Sequence, residues 1–341
     1  MNLTEYYLNI YPTKCPADTR FLASKEGLIL TSRTVGVVFL PVHILTTYCV
    51  LKKTPANMSS VKFSLENLSF WLFLSQILFS FFMMPSFYLP VMGGTTVGFA
   101  TDLGVPLAIQ FYMFFALSSL IMISIVLQFE NRSSLILKNK VRINGTRHRI
   151  YWVSANFFTI MFLLTVTFLN LPDQNQAKID ILKTLPCPTK EFFTEPFIML
   201  AAPGLWEDYM VTTTSLLNMG FIFQVSLFSS CCIYYLFIDK SSFASPETQK
   251  AQARSFIGIV LQTFLPILLV VLALVTILKK NGGYDQVANN LMFIFMDFHS
   301  GVASLSILLV QHPYRKFLIS FLCKKKKVHP VITVSTVSVS S

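Results

Sequence analysis

The sequence predicts an all-α membrane protein: a seven-transmembrane helix bundle with the N-terminus outside and a short amphipathic helix after helix seven. Hydrophobic residues make up 53% of the 341 residues and charged residues only 13%. Ordinary soluble domains carry about 25% charged residues. A soluble chain of this length needs more charge to cover its surface, so the composition places the chain among membrane proteins.

Seven segments are long and apolar enough to cross a bilayer as helices, which takes about 20 residues each. They lie near residues 28–51, 66–89, 104–128, 150–171, 210–238, 255–278 and 288–311. Buried strands do not explain these runs, because strands rarely exceed about ten residues. The predicted organisation is an extracellular segment at 1–26, the bundle at 27–311 and a cytoplasmic tail with a membrane-surface helix at 312–341.

The placement of Lys and Arg predicts the orientation. One set of alternate loops, with the C-terminal tail, carries 18 of the 27 basic residues and few acids. Because cytoplasmic loops are enriched in Lys and Arg, this face is predicted to be cytoplasmic. The net charge of +11 therefore reflects topology and an acidic inner leaflet rather than nucleic-acid binding. Residues 1–26 have no apolar signal-peptide core, so the first helix is expected to act as an uncleaved signal-anchor.

The segment after the seventh span changes character twice. Pro313 predicts the end of that span, because proline cannot donate the helical hydrogen bond. Tyr314 suits the membrane interface, with an apolar ring and a hydroxyl group in water. Apolar residues then recur at helical spacing through 317–322 and predict a short helix on the inner leaflet. Cys323 is a candidate lipidation site, and the four lysines after it favour acidic lipid. A simple basic stop after the span is the alternative.

Four motifs together carry a family resemblance. They are FLPVHILTTYCVLKKTPANMSSVK at 39–62, FENRSSL at 129–135, LPCPTKEFF at 185–193 and HPYRKF at 312–317. Over nearly its whole length, the chain resembles the nematode serpentine chemoreceptors, most closely class H, within the G protein-coupled receptor architecture. The resemblance implies a chemosensory receptor of the plasma membrane, in the cilium of a sensory neuron. It also implies a small-molecule ligand and signalling to a heterotrimeric G protein.

The resemblance assigns the inner ends of helices three and seven to G protein coupling. The sequence has no DRY motif after helix three and no NPxxY motif in helix seven. FENR stands after helix three, so Glu130 and Arg132 are candidates for coupling, with Tyr314 and Arg315 in the PYR motif. The alternative for Glu130 and Arg132 is a solvated charge pair, which contributes little at an exposed site.

Polar residues inside the spans, together with two apolar residues that share a helix face with one of them, are the candidates for ligand binding. Asp297 is the most informative, because an ionisable group in a membrane helix costs about 2.5–3.5 kcal/mol and faces the bundle. It is expected to touch a ligand, to hold a water network, or to pair with an Asn or Gln of a neighbouring helix. The full set of candidates is Gln110, Met113 and Phe114 on one face of helix three, Thr214 and Asn218 on helix five, and Asp297 and Ser300 on helix seven.

The cysteines predict one disulfide. Of six cysteines, Cys15 and Cys187 fall on the outer side, where disulfides persist. Two candidates allow one connectivity. We therefore predict a bridge that pins the N-terminal segment onto the second outer loop as a lid over the bundle; two free or separately paired thiols are the alternative. Asn2, on the same side, is a candidate glycosylation site.

Signals of catalysis are absent from the sequence. There is no Gly-rich phosphate loop, HExxH motif, nucleophile elbow or metal-spaced Cys/His cluster, so no enzyme activity, cofactor or metal is predicted. The competing function is a membrane transporter or a ligand-gated channel subunit. A transporter predicts paired repeats and interrupted helices at matched positions, and neither is found. The predicted partners are a small-molecule ligand, a heterotrimeric G protein and membrane lipid, with no nucleic acid.

Overall fold

Seven long helices make up the body of the protein. The structure, a computed structural model, describes residues 3–136, 138–239, 245–279 and 283–322. The helices are α1 (Lys25–Lys52), α2 (Ser59–Ile77), α3 (Leu107–Ser134), α4 (Thr146–Leu169), α5 (Leu205–Ile233), α6 (Pro246–Lys279) and α7 (Gln286–Val310). In this described part, six are long and apolar enough to cross a membrane, and α6 contains the remaining predicted span, 255–278, which carries no charged residue. The predicted seven-helix bundle is confirmed.

The second span differs from the prediction at both ends. α2 begins at Ser59 and continues through a π-helical turn, Leu78–Met83, so the predicted bounds 66–89 are wrong. The helix extends inward past its apolar stretch and includes Lys62 and Glu66, which pair at 3.4 Å, four residues apart on its first turns. It ends at Met84, whose φ of 42° is left-handed.

A small antiparallel sheet, absent from the sequence prediction, joins two outer loops. Its strands are β1 (Pro85–Phe87), β2 (Gly93–Thr96) and β3 (Ile198–Met199), in the order β1-β2-β3. Strands of two to four residues are too short to leave a periodic signal. The sheet holds the second outer loop against the first.

The N-terminal segment folds onto this sheet, and we call residues 3–24, 85–96 and 174–199 together the outer cap. Its short helical pieces are Leu3–Glu5, Tyr6–Ile10, Tyr11–Lys14, Phe21–Ala23, Gln174–Thr184 and Glu191–Thr194. The predicted disulfide is present: Cys15 and Cys187 are bonded, with their Cα atoms 5.3 Å apart. The Tyr6 and Tyr11 hydroxyls donate to carbonyls beside Cys187 in the second outer loop, each at 2.7 Å. Asn2 lies outside the described residues.

α7 packs closely against α1 through a glycine. A Cβ atom built on Gly301 would lie 2.1 Å from the Phe39 ring, so only a residue without a side chain fits there. On the other side of the bundle, α3 packs against α2, α4 and α5, whereas α4 and α5 touch each other little. The bundle is therefore tight around α7 and loose between α4 and α5.

A short helix, α8 (His312–Leu322), follows the seventh span, as predicted. The predicted position of Tyr314 is wrong: its ring is fully buried, and its hydroxyl shares a 2.6 Å hydrogen bond with Thr54. Burial at the inner end of α1 therefore replaces the expected contact with water. Phe317 lies under the Lys53 ammonium group, 4.8 Å from ring centroid to Nζ. Cys323 and the lysines after it lie outside the described residues.

Candidate functional site

A cavity of about 500 Å³ lies between α3, α4 and α5. Its walls are largely apolar, with hydroxyl and amide groups at intervals. Of the seven candidate ligand residues, Thr214 and Asn218 line it. The polar residues that line the cavity are Ser118, Ser119, Asn156, Thr159, Thr167, Thr213, Thr214, Asn218 and Gln224.

Small residues and sparse packing create this space. α4 and α5 each pack on α3 but contact one another little. Gly220 faces the cavity from α5, and a Cβ atom built there would meet no atom within 4 Å. The space is therefore a gap between α4 and α5 that the side chains of the protein leave unfilled.

An amide pair marks the cavity wall. Gln224 Nε2 donates to Asn156 Oδ1 at 2.9 Å, joining α5 to α4. Gln224 Oε1 is buried and receives no hydrogen bond from any residue that the structure describes. Sequence reasoning missed both residues, although an amide in an otherwise apolar span was the available signal.

Asp297 and Ser300 lie away from this cavity, in a buried hydrogen-bond network. Gln76 Nε2 donates to the Asp297 carboxylate at 2.8 Å, and the Ser80 hydroxyl donates to it at 2.7 Å. Ser300 donates to Gln76 Oε1 at 2.7 Å. Asp297 therefore pairs with a glutamine of a neighbouring helix, which is one of the three roles expected from the sequence.

The network continues into α1 through a histidine. His43 Nε2 lies 3.2 Å from Gln76 Oε1, and its Nδ1 lies 2.8 Å from the Ser304 hydroxyl. His43, Gln76, Asp297 and Ser304 are all 1% exposed or less. Because buried polar groups are costly unless paired, this arrangement fixes the relative positions of α1, α2 and α7.

The helix-three candidates do not share one face. Gln110 is buried and donates to the Val105 carbonyl at 2.8 Å, and Phe114 packs on Phe79 with ring centroids 4.9 Å apart. Met113 is 41% exposed, so its predicted place on the same face is wrong. At this level of α3, the face that packs into the bundle carries Phe111, which is fully buried, and does not include Met113.

An ion pair joins the inner ends of α3 and α4. Arg149 Nη2 lies 2.6 Å from Glu130 Oε2, and the Glu130 side chain is fully buried. The same Arg149 atom donates to Asn131 Oδ1 at 3.0 Å. The alternative of a solvated Glu130–Arg132 pair is wrong, since Arg132 is only 8% exposed. Sequence reasoning missed Arg149, the last basic residue before the fourth span.

The PYR candidates differ in accessibility. Tyr314 is buried at the inner end of α1, whereas Arg315 is exposed at the start of α8. Arg315 is therefore free to meet a partner at the inner face, while Tyr314 anchors α8 to the bundle.

The chain has the seven-helix membrane architecture of the G protein-coupled receptors. The family model described as "Serpentine type 7TM GPCR chemoreceptor Srh" matches residues 23–324. The chain therefore belongs to this family of serpentine class H chemoreceptors. It is 44% identical over 335 residues to Serpentine receptor class H-72 of Caenorhabditis elegans, covering 98% of this chain and 97% of that protein. The resemblance carried by the four motifs is confirmed.

Proposed function

We propose that this protein is a chemosensory receptor that binds a small molecule between α3, α4 and α5 and signals to a heterotrimeric G protein. The cavity is the observation that carries the proposal. Its volume of about 500 Å³ falls within the roughly 300–1,000 Å³ of small-molecule sites, and its lining is apolar with a few polar groups. We place the receptor in the plasma membrane of a sensory neuron, at its cilium, as the family resemblance implies.

Thr214 and Asn218 are the ligand contacts that the geometry favours. Both line the cavity, whereas Asp297 and Ser300 use their polar atoms within the α1–α2–α7 network. Gln110 and Phe114 pack inside the bundle. These four residues support the bundle, and Met113 faces lipid.

The effect of a ligand in this cavity is transmitted to the inner face through α4. A ligand shifts a receptor between two states only if it binds one of them more tightly. An occupant of the cavity bridges α4 and α5, which otherwise touch little, and so favours one spacing of these helices. At its inner end α4 is tied to α3 through Arg149 and Glu130. A change in spacing therefore reaches the residues around Arg132.

Coupling is tested by nucleotide exchange on a co-expressed G protein. We expect Arg132→Ala and Arg315→Ala to reduce ligand-stimulated exchange while sparing ligand binding. Glu130 and Tyr314 act through the positions of α3 and α8. Unchanged exchange in both arginine variants, at normal surface level, would remove the inner ends of α3 and α8 from the coupling site.

Ligand binding is tested by screening volatiles and small metabolites on cells that express the receptor with a promiscuous G protein. For any activating compound, Thr214→Val and Asn218→Leu should shift the dose–response curve by about tenfold or more. Thr212→Val is the matched control, since Thr212 is exposed on α5 but does not line the cavity. Equal shifts in Thr212→Val and Thr214→Val would contradict the proposed site.

A further inference from the structure

A cation lies on the membrane side of α1 without an anion beside it. Arg33 is half-buried within this membrane-spanning helix, and its guanidinium group makes no hydrogen bond or ion pair with any residue that the structure describes. Its Nε is buried, whereas the terminal nitrogens Nη1 and Nη2 are accessible. Because an uncompensated charge in a membrane helix is costly, these two nitrogens favour a partner from outside the described chain.

Arg33 lies below the outer surface of the membrane but within reach of it. It follows Lys25 by eight residues, which is about 12 Å along the helix axis. Lys25 pairs with Glu195 of the outer cap at 2.8 Å, and this pair marks the outer end of α1. Since α1 runs inward and side chains tilt toward the N-terminus of their helix, the Arg33 side chain extends back toward the lipid headgroups.

The ring of Phe99 stacks on the guanidinium group of Arg33. The Cζ atom of Arg33 lies 4.4 Å from the centroid of this ring. Stacking of this kind uses the flat face of the guanidinium group and leaves the N–H groups on its edge free to donate. Two such N–H groups match two oxygens of one phosphate group, which arginine binds in a bidentate manner.

Backbone contacts hold Phe99 in this position. The amide of Gly98 donates to the Met83 carbonyl at 3.2 Å, at the end of the π-helical turn that follows α2. A Cβ atom built on Gly98 would overlap the Phe82 carbonyl oxygen, so the close approach requires glycine. The Phe82 and Phe99 rings then meet edge to face, with their centroids 6.3 Å apart. The ring that stacks on Arg33 is therefore fixed to the outer end of the second span.

Exposed apolar side chains surround the guanidinium group. Leu30 and Val37, three residues before and four after Arg33, lie on the same side of α1 and are 60% and 63% exposed. Phe82 and Phe99 are 40% and 43% exposed. We call Leu30, Arg33, Val37, Phe82 and Phe99 the arginine face. A partner of this face meets a cation and apolar surface together, which suits a phospholipid better than a free ion.

We propose that the arginine face binds one phospholipid of the outer leaflet. Two oxygens of its phosphate accept hydrogen bonds from Nη1 and Nη2 of Arg33, and one acyl chain lies against Phe99 and Val37. Asp102, three residues after Phe99, forms no ion pair with Arg33, so this carboxylate does not take the place of the phosphate. The binding does not depend on the proposed function.

Photolabelling of the full chain in dodecyl maltoside micelles tests the site, because this detergent carries neither phosphate nor charge. The probe is phosphatidylcholine with a diazirine in one acyl chain, and we expect labels on the arginine face. Unlabelled phosphatidylcholine should compete about tenfold better than the diacylglycerol with the same chains, because the diacylglycerol lacks the phosphate that Arg33 binds. Inorganic phosphate, which lacks the chains, should not compete.

Two variants of Arg33 test the phosphate contact. Arg33→Met removes the cation and should abolish the preference for phosphatidylcholine over diacylglycerol. Arg33→Lys keeps the charge without the fork of donors and should retain a weaker preference. Lys190→Met is the matched control, since it removes one cation from an exposed position of the outer cap and should leave the preference unchanged. A full preference in Arg33→Met would overturn the site.

A second pair of variants tests the place of the acyl chain. Val37→Trp puts a ring where the chain lies and should reduce labelling of Phe99 at least tenfold. Val38→Trp is its matched control, since Val38 is 59% exposed. It lies about 140° from Arg33 around the helix, against about 40° for Val37. Equal labelling of Phe99 in both tryptophan variants would overturn the proposed position of the chain.

The competitors separate the proposed site from other occupants. Equal competition by phosphatidylcholine and diacylglycerol in the unaltered receptor would mean ordinary contact with the surrounding micelle and would overturn the inference. Competition by inorganic phosphate as strong as that by phosphatidylcholine would mean a site for free anions and would overturn it as well. The melting temperature of each variant in the same detergent shows that the comparison is made between folded proteins.

Discussion

Arg149 Nη2 lies 2.6 Å from Glu130 Oε2, so a buried carboxylate at the inner end of α3 is neutralised by a cation at the start of α4. The two residues are 19 positions apart in the chain. This pair and the bond from Arg149 to Asn131 tie the inner ends of α3 and α4 together.

Arg149→Ala should destabilise the receptor, because it leaves the fully buried Glu130 without its cation. Since Arg149 itself is 33% exposed, we expect a loss of roughly 1–3 kcal/mol, between the values for exposed and for fully buried ion pairs. Thermal unfolding in detergent measures it. Lys62→Ala, which breaks the exposed pair with Glu66, is the control and should cost less than about 1 kcal/mol. Equal effects would mean that Glu130 is effectively solvated.

Asp297→Leu should destabilise the bundle more than Asp297→Asn. The leucine leaves the donors of Gln76 and Ser80 unpaired, at about 1–3 kcal/mol each, whereas asparagine keeps one acceptor oxygen. Surface level and thermal unfolding report the difference. We expect Asp297→Asn to reach the cell surface. If both variants behave alike, the hydrogen bonds of this network contribute little.

In the native protein, an impermeant maleimide should label neither Cys15 nor Cys187, because the two are bonded. Cys15→Ser frees the Cys187 thiol, which the reagent should then label. The variant should also lose about 2–4 kcal/mol of stability, the usual contribution of a disulfide. Labelling on intact cells and thermal unfolding measure the two effects. Labelling of Cys187 in the unaltered receptor would contradict the bond.

Asp18→Asn should lower stability at neutral pH but not in acid. Hydrogen bonds from Arg20 lower the pKa of Asp18 below its usual 3.8. A carboxylate with a lowered pKa stabilises the fold above its unfolded pKa, and that contribution is lost as the pH falls through the folded pKa. The difference in melting temperature between the two proteins should therefore be constant from about pH 7 to 5 and vanish on further acidification. A difference that grows in acid would show that Asp18 is not the stabilised anion.

Gly301→Ala should disturb the contact of α7 with α1, since the added Cβ atom would lie 2.1 Å from the Phe39 ring. Overpacking of this kind costs about 1–3 kcal/mol. Gly220→Ala makes the same change where no atom lies within 4 Å and should be neutral or slightly stabilising. The melting temperatures of the two variants measure this difference in stability. Equal melting temperatures would mean that α1 and α7 adjust freely.

Sequence reasoning succeeded where a feature is encoded locally. The seven spans follow from runs of apolar residues, and α8 follows from a proline and a renewed helical period. Even these predictions fail at helix ends: α2 begins seven residues earlier than predicted, because helical hydrogen bonding continues beyond the apolar run. The disulfide was predictable because topology left two cysteines on one side.

Contacts between residues far apart in the chain could not be predicted from the sequence. Gln76 and Asp297 are 221 residues apart, and nothing in either span says that their side chains meet. The same holds for the three strands of the cap, whose two-to-four-residue lengths leave no period. The burial of Tyr314 depends on Thr54, 260 residues away.

The sequence by itself thus determined the class of the protein, its spans and its family, because hydrophobicity, charge placement and motifs are properties of short segments. The tertiary structure alone decided which polar groups are satisfied within the bundle and which face a cavity. Asp297 stood out in the sequence, yet Gln76 and Ser80 satisfy it. Gln224, which did not stand out, carries a buried acceptor that no described residue satisfies. The reason is physical: the cost of burying a polar group depends on the partners that packing brings within reach.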